Sequence, residues 1–268
     1  MVSDTDASLA PAAERFANRV ILVTGGGSGI GRATSLRLAR EGAAVIVADI
    51  RGKDAGEVAG LITSAGGRAS ASECDVAIAD DVERVVRREN SFGPIDGLVA
   101  CAGISFRNAT DAISLQDWNR VVDVNLTGTF LAIRSVLPTM IEMGRGTIVT
   151  IGSTASVVGS GGSSAYGAAK AGVLGLTRFV GIEYADVGIR ANCLCPGKVE
   201  TEFARHSGEL MRSARSESRP GNRIGVSAPM QRMAHPDEVA NVVAFLSSND
   251  SSWMTASAVM VDGGYTAV

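Results

Sequence analysis

Seven short apolar runs, each followed by a longer stretch of different periodicity, constrain this chain more than any other feature. The runs are RVILVT (19–24), AAVIVAD (43–49), RASASECDV (68–76), IDGLVACAG (95–103), GTIVTIGS (146–153), IRANCLCPG (189–197) and AVMVDGG (258–264). Most are continuously apolar and rich in Val and Ile, as strands are when helices cover both faces of their sheet. Residues 29–42, 54–66, 78–91, 114–141, 164–186 and 236–247 carry helical spacing. Ser114 precedes Asp117 in the Ser-x-x-acid form of a helix start, and Pro236-Asp237-Glu238 sets a proline and two acids in a first turn. The alternation predicts one doubly wound α/β domain with a parallel sheet of about seven strands. That domain is expected over residues 18–268, behind a loose N-terminal arm over 1–17, with no repeat, linker or second domain.

Composition excludes several functions. The formal charge is −3, which offers no electrostatic footprint for nucleic acid or an anionic membrane. Apolar runs such as VILV and GLVACAGI fall far short of the ~20 residues that span a bilayer. The N-terminus carries early acids and no basic start before an apolar core, so it does not read as a secretory signal. Four cysteines (Cys74, Cys101, Cys193 and Cys195) sit in apolar strand-like segments without zinc-site spacing. They read as buried free thiols of a cytoplasmic protein, and no metal is expected.

Directly after the first strand comes Thr24-Gly-Gly-Gly-Ser-Gly-Ile-Gly31. A glycine-rich turn between a strand and a helix lets the backbone approach a pyrophosphate, whose charge the helix N-terminus stabilises. The spacing is G-x3-G-x-G over Gly25, Gly29 and Gly31 rather than G-x-G-x-x-G. Asp49 ends the second strand, twenty residues past Gly29, where a carboxylate accepts hydrogen bonds from an adenosine ribose. It would repel a 2′-phosphate, so NAD is favoured over NADP, with Arg51 placed to offset part of that repulsion. Farther on, Tyr166 and Lys170 stand four residues apart among Ser, Ala and Gly, which sets both on one face of a helix.

With these residues together, the chain resembles the short-chain dehydrogenase/reductase family over roughly residues 18–266. Its glycine loop corresponds to Thr24–Gly31, its Tyr-x-x-x-Lys pair to Tyr166 and Lys170, and its serine, thirteen residues earlier, to Ser153. Its asparagine, within a long helix, corresponds to Asn125 in VVDVNLTGTF. The resemblance implies an oxidoreductase interconverting a secondary alcohol and a ketone. Tyr166 would be general acid/base, Lys170 would lower its pKa and bind the nicotinamide ribose, Ser153 would hold the substrate oxygen, and Asn125 would anchor a proton relay. The implied cofactor contacts are Gly25, Ser28, Gly29, Ile30 and Gly31 in the loop, then Asp49 and Ile50. Asp75 and Val76 would flank the adenine, and Ala102 and Gly103 would follow the fourth strand. Pro196, Gly197, Val199 and Thr201 would lie toward the carboxamide, with Tyr166 and Lys170 completing the set. A homotetramer is also implied.

Two departures stand out. Where the family has Asn-Asn-Ala-Gly, this chain reads Ala100-Cys101-Ala102-Gly103, so the second Asn's sheet-bracing bonds are lost. A frequent Thr-Gly is here Thr255-Ala256. Alternatives are an NADPH-dependent ketone or 3-oxoacyl reductase, and a catalytically silent dinucleotide sensor. A Ser-His-Asp hydrolase has only His206 and His235 to draw on and no G-x-S-x-G elbow. Segment 198–228 is expected to be a substrate lid, whose Arg205, Arg212, Arg215, Arg219 and Arg223 either meet a substrate anion or form a solvated surface with neighbouring glutamates.

Overall fold

The computed structural model describes residues 14–88, 92–159, 161–201 and 228–268. Seven parallel strands form one sheet: β1 (Val20–Thr24), β2 (Ala44–Asp49), β3 (Arg68–Glu73), β4 (Gly97–Ala100), β5 (Gly146–Ile151), β6 (Ile189–Pro196) and β7 (Ala258–Val261). Their order is β3-β2-β1-β4-β5-β6-β7. Between them run α1 (Gly29–Arg40), α2 (Gly52–Ser64), α3 (Ala79–Arg88), α4 (Leu115–Val122), α5 (Gly128–Met143), α6 (Ser164–Glu183) and α7 (Pro236–Ser247). Each strand lies inside its apolar run. β3 and β4 are trimmed at their carboxyl ends, where Cys74, Asp75, Val76, Cys101, Ala102 and Gly103 leave the ladder to line a cleft.

Strand side chains alternate between two cores. Ile21, Val23, Val45, Val47, Val99 and Leu194 pack under α1, α2 and α7 with Leu38, Val58, Ile62 and Val243. Val20, Leu22, Ile46, Leu98, Ile148 and Ala191 face the other way, against Val82 and Val85 of α3, Ile133 and Val136 of α5, and Val180 of α6. Burying each such side chain contributes about 1.5–3 kcal/mol, which is why the central strands tolerate no polar face.

The expected caps form. Ser114 Oγ accepts from the Asp117 amide over 3.0 Å, and His235 caps α7 with Glu238 reaching back to its backbone. The long helix expected over 114–141 is interrupted. Five residues, Asp123–Thr127, form a π-helical turn between α4 and α5, and the helical path continues through it. Leu115–Met143 is therefore long and apolar enough to cross a bilayer, although 56% of its most apolar window is buried inside the protein. Contiguous apolar runs miss such a helix, because its apolar positions are interspersed with polar ones.

Candidate active site

The sheet order reverses between β1 and β4, and a cleft of about 920 Å³ opens at the carboxyl ends of the strands. Every strand contributes to its wall. Gly25 follows β1, Asp49 and Ile50 end β2, Asp75 and Val76 follow β3, and Ala102 and Gly103 follow β4. Ser153 follows β5, Pro196, Gly197, Val199 and Thr201 come from β6 and its exit, and Asp262 follows β7. Ser28, Gly29, Ile30, Asn125, Tyr166 and Lys170 line the same space. Gly31 does not. It is buried in the first turn of α1, where an added Cβ would overlap the Gly25 carbonyl oxygen, so its role is packing of helix on loop.

The loop has the shape of an anion cradle. Gly25 and Gly29 hold φ of 64° and 50°, the left-handed region that favours glycine. A Cβ on Gly25 would stand 2.7 Å from Ala102 Cα. Ser28, the N-cap of α1, makes no side-chain bond to the first-turn amides. The N–H groups of Gly29 and Ile30, both at the cleft wall, therefore have no intrahelical acceptor and suit a pyrophosphate. Asp49 is buried, with Oδ2 accepting from the Gly27 amide and Oδ1 from the Arg51 amide, each over 3.0 Å. Arg51 Nε is paired with Asp54 Oδ2 at 2.8 Å, which commits much of the charge expected to offset Asp49. The loop's donors fit the pyrophosphate of a dinucleotide.

Cys101, in the place of the family asparagine, also lines the cleft. It is half-buried rather than buried, and burial pushes its thiol up to about 12. The β1–β4 junction is held instead by Thr24, whose Oγ1 accepts from the Cys101 and Ala102 amides over 3.2 and 3.4 Å. All four cysteines are free.

The four anticipated catalytic side chains converge on one wall. Ser153 caps a 3-10 turn, its Oγ accepting from the Ala155 amide over 3.1 Å, and it hydrogen-bonds the Tyr166 hydroxyl. Lys170 is buried and donates from Nζ to the Ile151 carbonyl over 2.7 Å. Its Nζ lies 5.7 Å from the centre of the Tyr166 ring. Asn125 is fully buried within the π turn, where Nδ2 donates to the Val121 and Ile104 carbonyls over 2.9 Å each. Among the described residues, its Oδ1 is buried without a partner. The wider π turn brings this amide to the end of β4, an arrangement common at functional sites.

Burial pushes the Tyr166 phenol up to about 12, and the groups that pull it back are Ser153, through a hydrogen bond, and Arg107, through its charge. Burial also lowers the pKa of Lys170 itself. Sequence spacing gives proximity, whereas burial of both groups disfavours their charged forms. Arg107 is absent from the sequence reading. Its position three residues past Ile104, in the loop leaving β4, is the one signal that could have drawn it in.

His235 is an exposed helix cap, which removes it from any hydrolytic triad. His206 and the five arginines of the expected lid lie outside the described residues.

Comparison with known proteins agrees with this geometry. A family model described as enoyl-(acyl carrier protein) reductase matches residues 25–266. Cyclohexanol dehydrogenase of Acinetobacter sp. (strain SE19) is 38% identical over 254 residues, covering 94% of this chain and 96% of the relative. Cis-4-hydroxycyclohexanecarboxylate dehydrogenase of Sinomonas cyclohexanicum is 40% identical over 257 residues, covering 95% and 99%. The crystal structure of levodione reductase superposes with a TM-score of 0.87 at 36% identity, covering 94% of this chain and 99% of that one.

Proposed function

This chain belongs to the short-chain dehydrogenase/reductase family, and on that premise we propose that it interconverts an alicyclic secondary alcohol and its ketone with NAD as hydride partner. Family membership carries the coarser statement, a secondary-alcohol oxidoreductase using a nicotinamide dinucleotide. The finer reading rests on one observation: Ser153, Tyr166, Lys170 and the unpartnered Oδ1 of Asn125 share a cleft with the carboxylate of Asp49. Relatives named for ring alcohols support the alicyclic substrate.

A bound oxidised nicotinamide supplies the hydride acceptor and a positive charge near the phenol. Tyr166 takes the alcohol's hydroxyl proton as phenolate, or returns it as phenol in the reverse direction. Ser153 orients the substrate oxygen through the hydroxyl it already shares with Tyr166. Lys170, whose Nζ donates to the Ile151 carbonyl, would hold the cofactor ribose with its remaining N–H groups. Asn125 Oδ1 accepts from a water that passes the proton toward solvent. Asp49 accepts from the adenosine ribose and repels a 2′-phosphate. A homotetramer and a cytoplasmic location belong to the same reading, with Phe179 and Ile182 of α6, 76% and 71% exposed, supporting subunit contact.

Thermal unfolding with NADH and, separately, NADPH tests this. A ligand that binds only the folded state raises the midpoint by mass action. Selective stabilisation by NADH is the expected outcome, followed by NAD-linked oxidation of ring alcohols. Preference for NADPH would reassign the chain as a reductase, and no response to either would remove the dehydrogenase reading.

A further inference from the structure

Among the described residues, four arginines line the cleft, and three of them have a carboxylate. Arg51 pairs with Asp54 at 2.8 Å, Arg120 with Asp75 at 3.5 Å and Arg232 with Glu238 at 2.7 Å. Arg107 does not. Its Nε is buried with no hydrogen-bond partner, and among the described residues the titratable groups acting on its charge are the phenols of Tyr166 and Tyr265, not an acid. Both tyrosines are on the cleft wall, so the guanidinium sits beside the residue expected to exchange the substrate proton. The cleft also carries apolar side chains, among them Ile104, Val158 and Met230, beside polar ones such as Lys198, Gln231 and Asp262.

A half-buried charge without a counter-ion is still costly, and a ligand can supply the missing partner. The neutral phenols offer none. We propose that Arg107 binds a carboxylate carried by the substrate, so that the natural substrate is an apolar-bodied hydroxy- or oxocarboxylate. A guanidinium presents a planar fork that matches a carboxylate in two parallel hydrogen bonds. One such cation balances a monoanion. The inference rests on the alcohol–ketone reading of the cleft, and it moves the anion site sought among the arginines of 198–228 to the loop after β4.

The test is a binding measurement that needs no turnover. Calorimetric titration with cyclohexanecarboxylate and with cyclohexanecarboxamide, both unreactive, is made on the full chain saturated with NADH. The wild type is expected to bind the carboxylate at least about 30-fold more tightly than the neutral isostere, the scale of a desolvated charge pair. Arg107→Met should erase that preference, and Arg107→Lys should keep part of it. Equal affinities in the wild type, a measurement that requires no variant to fold, would overturn the proposal. So would a preference that survives in a folded Arg107→Met protein. If the carboxylate preference holds but no alcohol reduces NAD or NADP, the dehydrogenase reading fails and the carboxylate site stands.

Discussion

Asn125 presses its Oδ1 against Gly103 so closely that a methyl group added to that glycine would lie 2.7 Å from the oxygen and 3.4 Å from Lys170 Nζ. The carboxyl end of β4 thus touches both members of the proposed proton path, and absence of a side chain there sets their spacing. Gly103→Ala should force Asn125 or Lys170 aside and lower kcat by about 100-fold, the scale of an ångström-sized misplacement. Overpacking should cost about 1–3 kcal/mol of stability. Steady-state kinetics with thermal melts checks both, and a kcat within threefold (roughly unchanged on that scale) would detach Gly103 from the chemistry.

The raised phenol of Tyr166 gives a signed pH profile. Alcohol oxidation needs phenolate and ketone reduction needs phenol. With the phenol held up to about 12 by burial, oxidation should climb about tenfold per pH unit through neutrality, while reduction stays flat. The charge of oxidised nicotinamide shifts the oxidation limb to lower pH. Arg107→Met removes a positive charge that favours phenolate, so that limb should move alkaline. Tyr166→Phe should abolish both directions yet retain cofactor binding. Stability has its own sign: the folded state keeps a proton that the unfolded chain releases near pH 10, so stability should fall as pH rises from about 10 to about 12.

Asp49→Ala should weaken NADH binding and shift the NADH/NADPH preference at least about tenfold toward NADPH, about 1.4 kcal/mol of lost discrimination. Competition titrations measure it. Because Asp49 also holds the Gly27 and Arg51 amides, affinity for both cofactors should drop somewhat. An unchanged preference would take ribose selection away from Asp49.

Ala256 stands with φ of 56° where the family often has glycine, and its amide donates to the Ala191 carbonyl over 2.7 Å. A left-handed backbone costs an L-residue roughly 1–2 kcal/mol. Ala256→Gly should therefore stabilise the protein by about 1 kcal/mol after the glycine's extra unfolded-state entropy, raising the melting midpoint by about 2–4 °C. A lower midpoint would mean that the alanine methyl packs well enough to outweigh the strain.

Strands were legible because parallel strands buried on both faces must be apolar throughout, and the glycine loop because its backbone demands are read from residue type. Four features were not. The π turn at Asn125 depends on hydrogen bonds from its side chain to Val121 and Ile104, contacts between segments that sequence spacing does not reveal. Arg107 reads as any surface arginine until the cleft closes around its Nε. The direction of the Tyr166 shift follows from burial, which spacing alone does not report. Gly31 looks the same as Gly29 in sequence, yet one packs and the other lines the cleft.

Gly31 also decides how a dinucleotide meets this protein. Because the first turn of α1 rests directly on the Gly25 carbonyl, the loop cannot swing open without lifting α1, and with it Leu38, away from the sheet. The end of the cleft proposed for the pyrophosphate is therefore a finished socket. Its ordering entropy was spent in folding, so binding there draws little conformational cost from the ligand's affinity.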